Sequence, residues 1–350
     1  MIVWGQQKFV ALAIAISLLC GGAGQWVGLP LPWMLGPMIG NTIAAMFGVP
    51  IKGPDALRPF VMPVIGIMLG SSVTMALFAQ LGDWVLTLLL LPVFLLIAAG
   101  LSYTVYRRIG RYDAVTAFYS AMPGGLNEML IMGAEAGADE QRIALAHAAR
   151  VLIVIFFVVM FFWLVLGVTS TGSVGWVGVD DLTFIDYAIL SVCAIAGIWI
   201  GNLLRIPAAP VFGPMLLSGI AHVVGWVTVA PPTILIILAQ IVIGTVIGAR
   251  FVGVAPKEIA RDLTLAVVSA VGMLVIAVGF AEIITWQTGM SLSQAFLAYS
   301  PGGLTEMSLL SLAMGQDVTY VSLVHLIRIT LVIAIAPFVF GSILGRLKFP

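Results

Sequence analysis

The chain has 350 residues, of which 61% are hydrophobic and 9% charged. A soluble domain carries roughly 25% charged residues, and 15 basic with 15 acidic side chains cannot cover a globular surface of this size. That balance excludes a soluble enzyme and a disordered chain. A formal net charge of zero with no basic cluster excludes a nucleic-acid binder.

A helix needs about 20 mostly apolar residues to cross a bilayer. In chain order, such runs fall at 8–28, 32–49, 60–80, 84–106 and 142–166. A second set falls at 184–204, 209–229, 232–250, 263–286 and 318–343. The first run lacks a small-residue cleavage site before a mature domain and has a counterpart in mid-chain, so it reads as a helix rather than a signal peptide. Cys20 and Cys193 both lie inside apolar runs, which leaves no disulfide framework. Trp26, Trp84, Trp163 and Trp176 fall near span ends and read as interface anchors.

Two stretches, 113–136 and 291–314, are not simple spans. Each has a short apolar arm, then Pro-Gly-Gly, then a second arm. Proline lacks an amide donor and glycine tolerates unusual backbone angles, so each Pro-Gly-Gly ends one helix and starts another. The most polar connector, 168–183, separates a first repeat (1–167) from a second (184–350).

The two halves match in one register. Pro123-Gly-Gly-Leu-Asn-Glu-Met129 recurs as Pro301-Gly-Gly-Leu-Thr-Glu-Met307, 178 positions later. The same offset relates His147 to His325, Arg150 to Arg328, Gly66 to Gly244, Gly70 to Gly248 and Asp139 to Asp317. Gly36-Pro37-Met38 recurs as Gly213-Pro214-Met215 at an offset of 177.

Loop charges set the orientation. Lys52 with Arg58, and Arg107 with Arg108 and Arg111, mark the cytoplasmic loops of the first half, and Arg250, Lys257 and Arg261 mark that of the second. Equivalent loops then face opposite sides, which defines an inverted-topology repeat. Lys8, and Arg346 with Lys348, put both termini inside. The parity holds with ten spans and two opposed re-entrant hairpins. The alternative, in which each Pro-Gly-Gly segment is one broken helix that crosses fully, gives twelve spans. The expected fold is therefore an all-α polytopic membrane protein.

Non-helical backbone at membrane depth survives only where protein buries it or water reaches it. Pro123, Gly124 and Gly125, and Pro301, Gly302 and Gly303, thus mark candidate binding positions. The arms that follow begin helices whose free N–H groups favour an anion. Glu128 and Glu306 sit one turn into those arms, and Arg150 and Arg328 are their expected partners at similar depth, roughly 15–18 Å below the surface at 1.5 Å per residue. Two readings stand. Either these are structural salt bridges, or one member exchanges its partner for substrate or a coupling ion. His147 and His325 precede the arginines by one helical turn, either as proton carriers or as satisfied hydrogen-bonding residues. Asn127 and Thr305 replace each other in the motif and can bind ligand or cap the arm. Asp139 and Asp317 read as caps of the following helices. Gly66 with Gly70, and Gly244 with Gly248, read as close-packing pairs.

There is no phosphate-binding G-x-x-x-x-G-K-[ST] loop, no serine-nucleophile motif and no His or Cys pairing at metal spacing, so no enzyme, catalytic residue, metal or cofactor is expected.

The doubled Pro123–Met129 and Pro301–Met307 motif, with His147, Arg150, His325 and Arg328, resembles the AbrB membrane-protein family over residues 10–343. In hydropathy and repeat layout that family is similar to the cation/proton antiporter and anion transporter superfamily. The resemblance implies a secondary transporter with a midplane site. The resulting expectation is an ion-coupled (H+ or Na+) secondary active transporter of a small solute in a bacterial inner membrane. A homodimer is compatible with it. The alternative is a membrane sensor that regulates gene expression indirectly, without transport.

Overall fold

A computed structural model describes residues 2–29, 31–75, 81–164 and 176–340. The expected span end at 76–80, the first part of the linker (168–175), and Arg346 and Lys348 lie outside the described residues. The protein is an all-α polytopic membrane protein, with fourteen α-helices and no strand among the described residues.

The first half comprises α1 (Ile2–Val27), α2 (Pro32–Met46), α3 (Arg58–Ser71), α4 (Leu81–Thr104), α5 (Ala114–Ala121), α6 (Leu126–Glu135) and α7 (Glu140–Leu164). The second comprises α8 (Phe184–Leu203), α9 (Ala209–Val224), α10 (Thr233–Gly248), α11 (Pro256–Thr288), α12 (Leu292–Tyr299), α13 (Leu304–Ala313) and α14 (Val318–Val339). Of these, α1, α4, α7, α8, α10, α11 and α14 are long and apolar enough to cross a bilayer. The other three runs expected to span form the shorter helices α2, α3 and α9, of 15, 14 and 16 residues. Each carries an internal proline, at Pro37, Pro63 and Pro214. A proline removes one amide donor and crowds the preceding turn, which suits a helix whose exposed carbonyls are covered by neighbours.

The helices gather into two compact units that cut across the sequence halves. One unit is Met1–Leu81, Val168–Val254 and Ser308–Thr319, and the other is Gly82–Gly167, Ala255–Met307 and Tyr320–Pro350.

The first unit is built on reciprocal close crossings. A methyl group at Gly66 in α3 would collide with the Val211 carbonyl in α9, and one at Gly244 in α10 with the Met34 carbonyl in α2. One turn further, Gly70 faces Met215 and Gly248 faces Met38 in the same way. The partners of each pair are themselves repeat equivalents, so the contact is made twice with roles exchanged. Helix backbones this close leave room for hydrogen only, which explains the recurring Gly-xxx-Gly. Leu31 and Ala208, also repeat equivalents, take left-handed backbone angles (φ 48° and 52°) just before α2 and α9. In the same unit Asn41 donates to Ser17 Oγ and to the Pro37 carbonyl, both at 2.8 Å, and Ser17 meets Thr245 at 2.6 Å.

The second unit holds both Pro-Gly-Gly breaks and an aromatic core. Phe94, Phe280 and Tyr299 pack together, with centroids 5.0 to 5.7 Å apart. Tyr299 donates to the Thr87 carbonyl at 2.6 Å. Trp84, expected as an interface anchor, is instead 4% exposed and packs on Tyr320 at 5.4 Å. Its length from the start of α4 places it one turn inside, where a neighbouring ring covers it. Trp26 and Trp176 are exposed, as an anchor requires, and the Trp163 side chain lies outside the description.

Candidate functional site

The first Pro-Gly-Gly segment folds back on itself. Helix α5 rises from Asp113, whose carboxylate accepts the Thr116 amide at 2.9 Å. The break at Met122–Gly125 follows, and α6 returns. At the end of α6 the chain turns through Gly137 (φ 80°), and the Asp139 amide donates to Thr116 Oγ1 at 2.9 Å. Thr116 sits in the first turn of α5, so the entrance and exit of the segment meet. The segment is therefore a helical hairpin, not one broken helix running straight through. Asp139 then caps α7, accepting the Arg142 amide at 3.1 Å and pairing with the Arg142 side chain at 3.2 Å.

The mouth of this hairpin has its own electrostatics. Burial alone would raise the Asp113 carboxyl, but bonds from the Thr116 hydroxyl and from nearby amides outweigh it and hold the group below the ordinary carboxylate value. Burial, and then the bond to Asp262, push the Tyr112 phenol up. That bond is 2.7 Å long. Arg107 donates to the Tyr112 carbonyl at 2.7 Å, and the Arg142 guanidinium lies 5.0 Å over the Tyr112 ring.

The glycines of the breaks have a reason different from the expected one. Gly124, Gly125, Gly302 and Gly303 all avoid positive φ, so they are not needed for backbone angle. They are needed for space. A methyl on Gly125 would run into the Glu128 carboxylate, and one on Gly303 into the Glu306 carboxylate. A methyl on Gly124 would meet Val332 of α14 at 2.9 Å and then Met129 at 3.2 Å, and one on Gly302 would meet Met307 at 2.7 Å. The motif Pro-Gly-Gly-Leu-x-Glu-Met thus packs on itself, and at the first break on Val332 as well. The first glycine seats the methionine, and the second seats the glutamate.

Each glutamate therefore folds back over the residue that starts its own helix. A third-position glutamate commonly reaches the amide end of its helix in this way, and the positive dipole end stabilises it there. In both breaks the chain's own carboxylate lies beside the spot expected to be open to an anion. Glu306 is buried (8% exposed), whereas Glu128 is half-buried.

The arginines lie at the opposite pole. Arg150 (3% exposed) donates through Nη1 to the Ser120 and Ala121 carbonyls at 3.3 and 3.4 Å, and through Nη2 to His147 Nδ1 at 2.8 Å. Arg328 (2% exposed) donates to the Ser300 and Gly302 carbonyls at 2.8 and 2.6 Å. The Ser120, Ala121 and Ser300 carbonyls end α5 and α12, where backbone acceptors lack helical partners and the dipole is negative, and the Gly302 carbonyl lies in the break itself. The expected Glu128–Arg150 ion pair is not formed: Arg150 turns to carbonyls and histidine, and Glu128 turns to its own helix end. Two charges at equal depth need not face each other when each has a nearer, oppositely charged helix end.

His147 Nε2 lies 3.0 Å from the Tyr119 carbonyl, so it donates, and Nδ1 accepts from Arg150. That is a neutral ring held between two partners. His325 bonds the Val321 carbonyl through Nδ1 at 3.0 Å. Pro123 and Pro301 are buried at the breaks, and Thr305 is buried in the first turn of α13. The Asn127 side chain lies outside the description. Asp317 accepts the Thr319 amide at 2.9 Å at the start of α14.

The pattern of repeated residues does not reveal Ser120. It is fully buried, its hydroxyl has no hydrogen-bond partner among the described residues, and its repeat equivalent is Ala298. Among the described residues no three His, Cys, Asp or Glu side chains are placed to hold a metal ion.

Residues 33–343 match the family described as "Transition state regulatory protein AbrB". The chain is 27% identical over 354 residues to YhjN of Bacillus subtilis (strain 168), covering 93% of this chain and 90% of that protein. It is 26% identical over 338 residues to an Escherichia coli (strain K12) protein whose name carries the words regulator AbrB, covering 95% and 94%.

Proposed function

We propose a transport function for this chain, which belongs to the AbrB family: secondary active, ion-coupled movement of a small solute by alternating access around the two Pro-Gly-Gly breaks. The observation that carries this reading is the first break. A helix that enters, stops at Met122–Gly125 and returns leaves main-chain groups unbonded at depth, and a buried arginine and histidine are fixed against them. Irregular backbone is tolerated there when it is buried by protein or lines a cavity. Intramembrane charges of this kind mark solute and ion paths, and helix breaks at corresponding positions of two repeats are where transporters of this plan bind their solute. The coupling ion is H+ or Na+.

Localisation in a bacterial inner membrane with both termini cytoplasmic belongs to the same proposal. A cysteine in place of Arg108 should react only from the cytoplasmic face, and one in place of Thr288 only from outside. Labelling of both from one face overturns the inverted repeat.

The name of the Escherichia coli relative favours a second reading, a membrane sensor that regulates gene expression indirectly. Currents from proteoliposomes on a solid-supported membrane separate the two. Organic acids, amino acids, amines and ammonium are applied under imposed H+ or Na+ gradients, with Glu306→Gln as control. Solute-dependent currents that vanish in Glu306→Gln, with the variant still folded in the membrane, support transport, whereas loss of folded protein marks Glu306 as structural. Binding of a solute without electrogenic or isotopic flux supports the sensor.

A further inference from the structure

The two breaks share a motif but not a wiring, and the difference bears on the solute. Arg328 donates two short bonds, 2.8 and 2.6 Å, to carbonyls on either side of Pro301. Arg150 makes its carbonyl bonds at 3.3 and 3.4 Å, near or beyond the useful limit for N–H···O bonds. Its firm bond is to a neutral histidine. Nε has no partner among the described residues in either arginine, and Glu128 does not pair with Arg150. Ser120, whose carbonyl takes one of the long bonds, adds a buried hydroxyl without a partner. A buried donor left unmade costs about 1–3 kcal/mol, and a buried guanidinium without an anion costs more. The first break therefore holds donors that the protein does not satisfy.

The geometry points to a carboxylate-bearing solute bound at Arg150 and Ser120, with Arg328 a structural cap of α12. A carboxylate is planar and carries two acceptor oxygens, which match a guanidinium edge and a neighbouring hydroxyl. It supplies the negative charge that Glu128, folded onto its own helix, withholds from Arg150. Lysine would keep the charge at position 150 but lose the fork. The second break leaves Arg328 Nε unpaired as well, but Ala298 offers no hydroxyl and both Arg328 Nη atoms are held by short bonds.

This inference takes the break as the solute site of the proposed function, and its test separates the two. The full-length protein in lipid nanodiscs is titrated with acetate and succinate, with ammonium and tetramethylammonium, and with chloride, and thermal stability reports binding. Acetate or succinate should stabilise the protein and the cations should not. Arg150→Lys should weaken carboxylate binding about tenfold or more, a change of 1.4 kcal/mol. Ser120→Ala should weaken it severalfold, and it decides the matter if Arg150→Lys does not fold. Arg328→Lys should lower the stability of the free protein while the carboxylate affinity of what remains folded is unchanged. Stabilisation by cations or chloride alone, or affinities indifferent to both Arg150→Lys and Ser120→Ala, overturns the inference. Carboxylate binding lost in those variants but without flux in vesicles upholds the inference and overturns transport. Cation flux without carboxylate binding does the reverse.

Discussion

The first and second breaks are built from the same seven-residue motif, 178 positions apart, yet they use it differently. In both, the glutamate lies over the second glycine and the methionine packs on the first. At the second break the arginine is tied by short bonds to the backbone and the glutamate is buried. At the first, the arginine is loosely held, the glutamate is half-buried and an extra hydroxyl stands by. Duplication sets the backbone of both. The difference lies in how tightly each arginine is held and in the hydroxyl of Ser120, which the second copy lacks.

The largest expected effect is that of Arg328→Gln. Two charge-assisted bonds to buried carbonyls are lost, about 3–5 kcal/mol in all, and urea or thermal unfolding in detergent should show it. Arg150→Gln should cost clearly less stability and more function. Equal stability losses would break the comparison. Next come the glycines. Gly303→Ala displaces a buried carboxylate and should cost about 1–3 kcal/mol. Gly125→Ala should cost less, since the half-buried Glu128 can swing outward. The reverse order, read from the same melts, would show that the two glutamates are held alike.

Smaller effects come from the mouth of the first hairpin. Thr116 both donates to Asp113 and accepts from Asp139, so Thr116→Val should cost about 1–2 kcal/mol and speed hydrogen exchange across 126–139. Asp113→Ala removes the cap of α5, about 1 kcal/mol. Because folding lowers the Asp113 pKa, its contribution is complete above the unfolded value of about 3.9 and fades as the pH falls through the folded one. The stability gap between wild type and Asp113→Ala should therefore close below about pH 4. A gap that persists there would contradict the assigned bonds.

The membrane class, the helices and both breaks are legible in the sequence, because apolar run length and Pro-Gly-Gly are local signals. The Glu128–Arg150 partnership is not. Depth along a helix can be counted, but which face a side chain takes depends on the nearest helix end, and α5 and α6 offer those ends within a few residues. Helices α2, α3 and α9 fall short of full spans because their runs end at turns, after Met46, Ser71 and Val224, that hydropathy does not register. Ser120, Tyr112 and Asp262 escape a search guided by the repeat for a simple reason. Their equivalents are Ala298, Met290 and Trp84, so nothing polar recurs. Residues that make the two halves different are invisible to a method that keeps what they share.

Alternating access at the first break is the central claim, and accessibility tests it most directly. In a background with Cys20 and Cys193 replaced, Ser120→Cys would be probed with a membrane-impermeant thiol reagent in right-side-out and inside-out vesicles. The account predicts reaction from both faces, slowed on at least one of them by acetate or succinate. Reaction from a single face only, or none from either in protein that is folded and inserted, would contradict it.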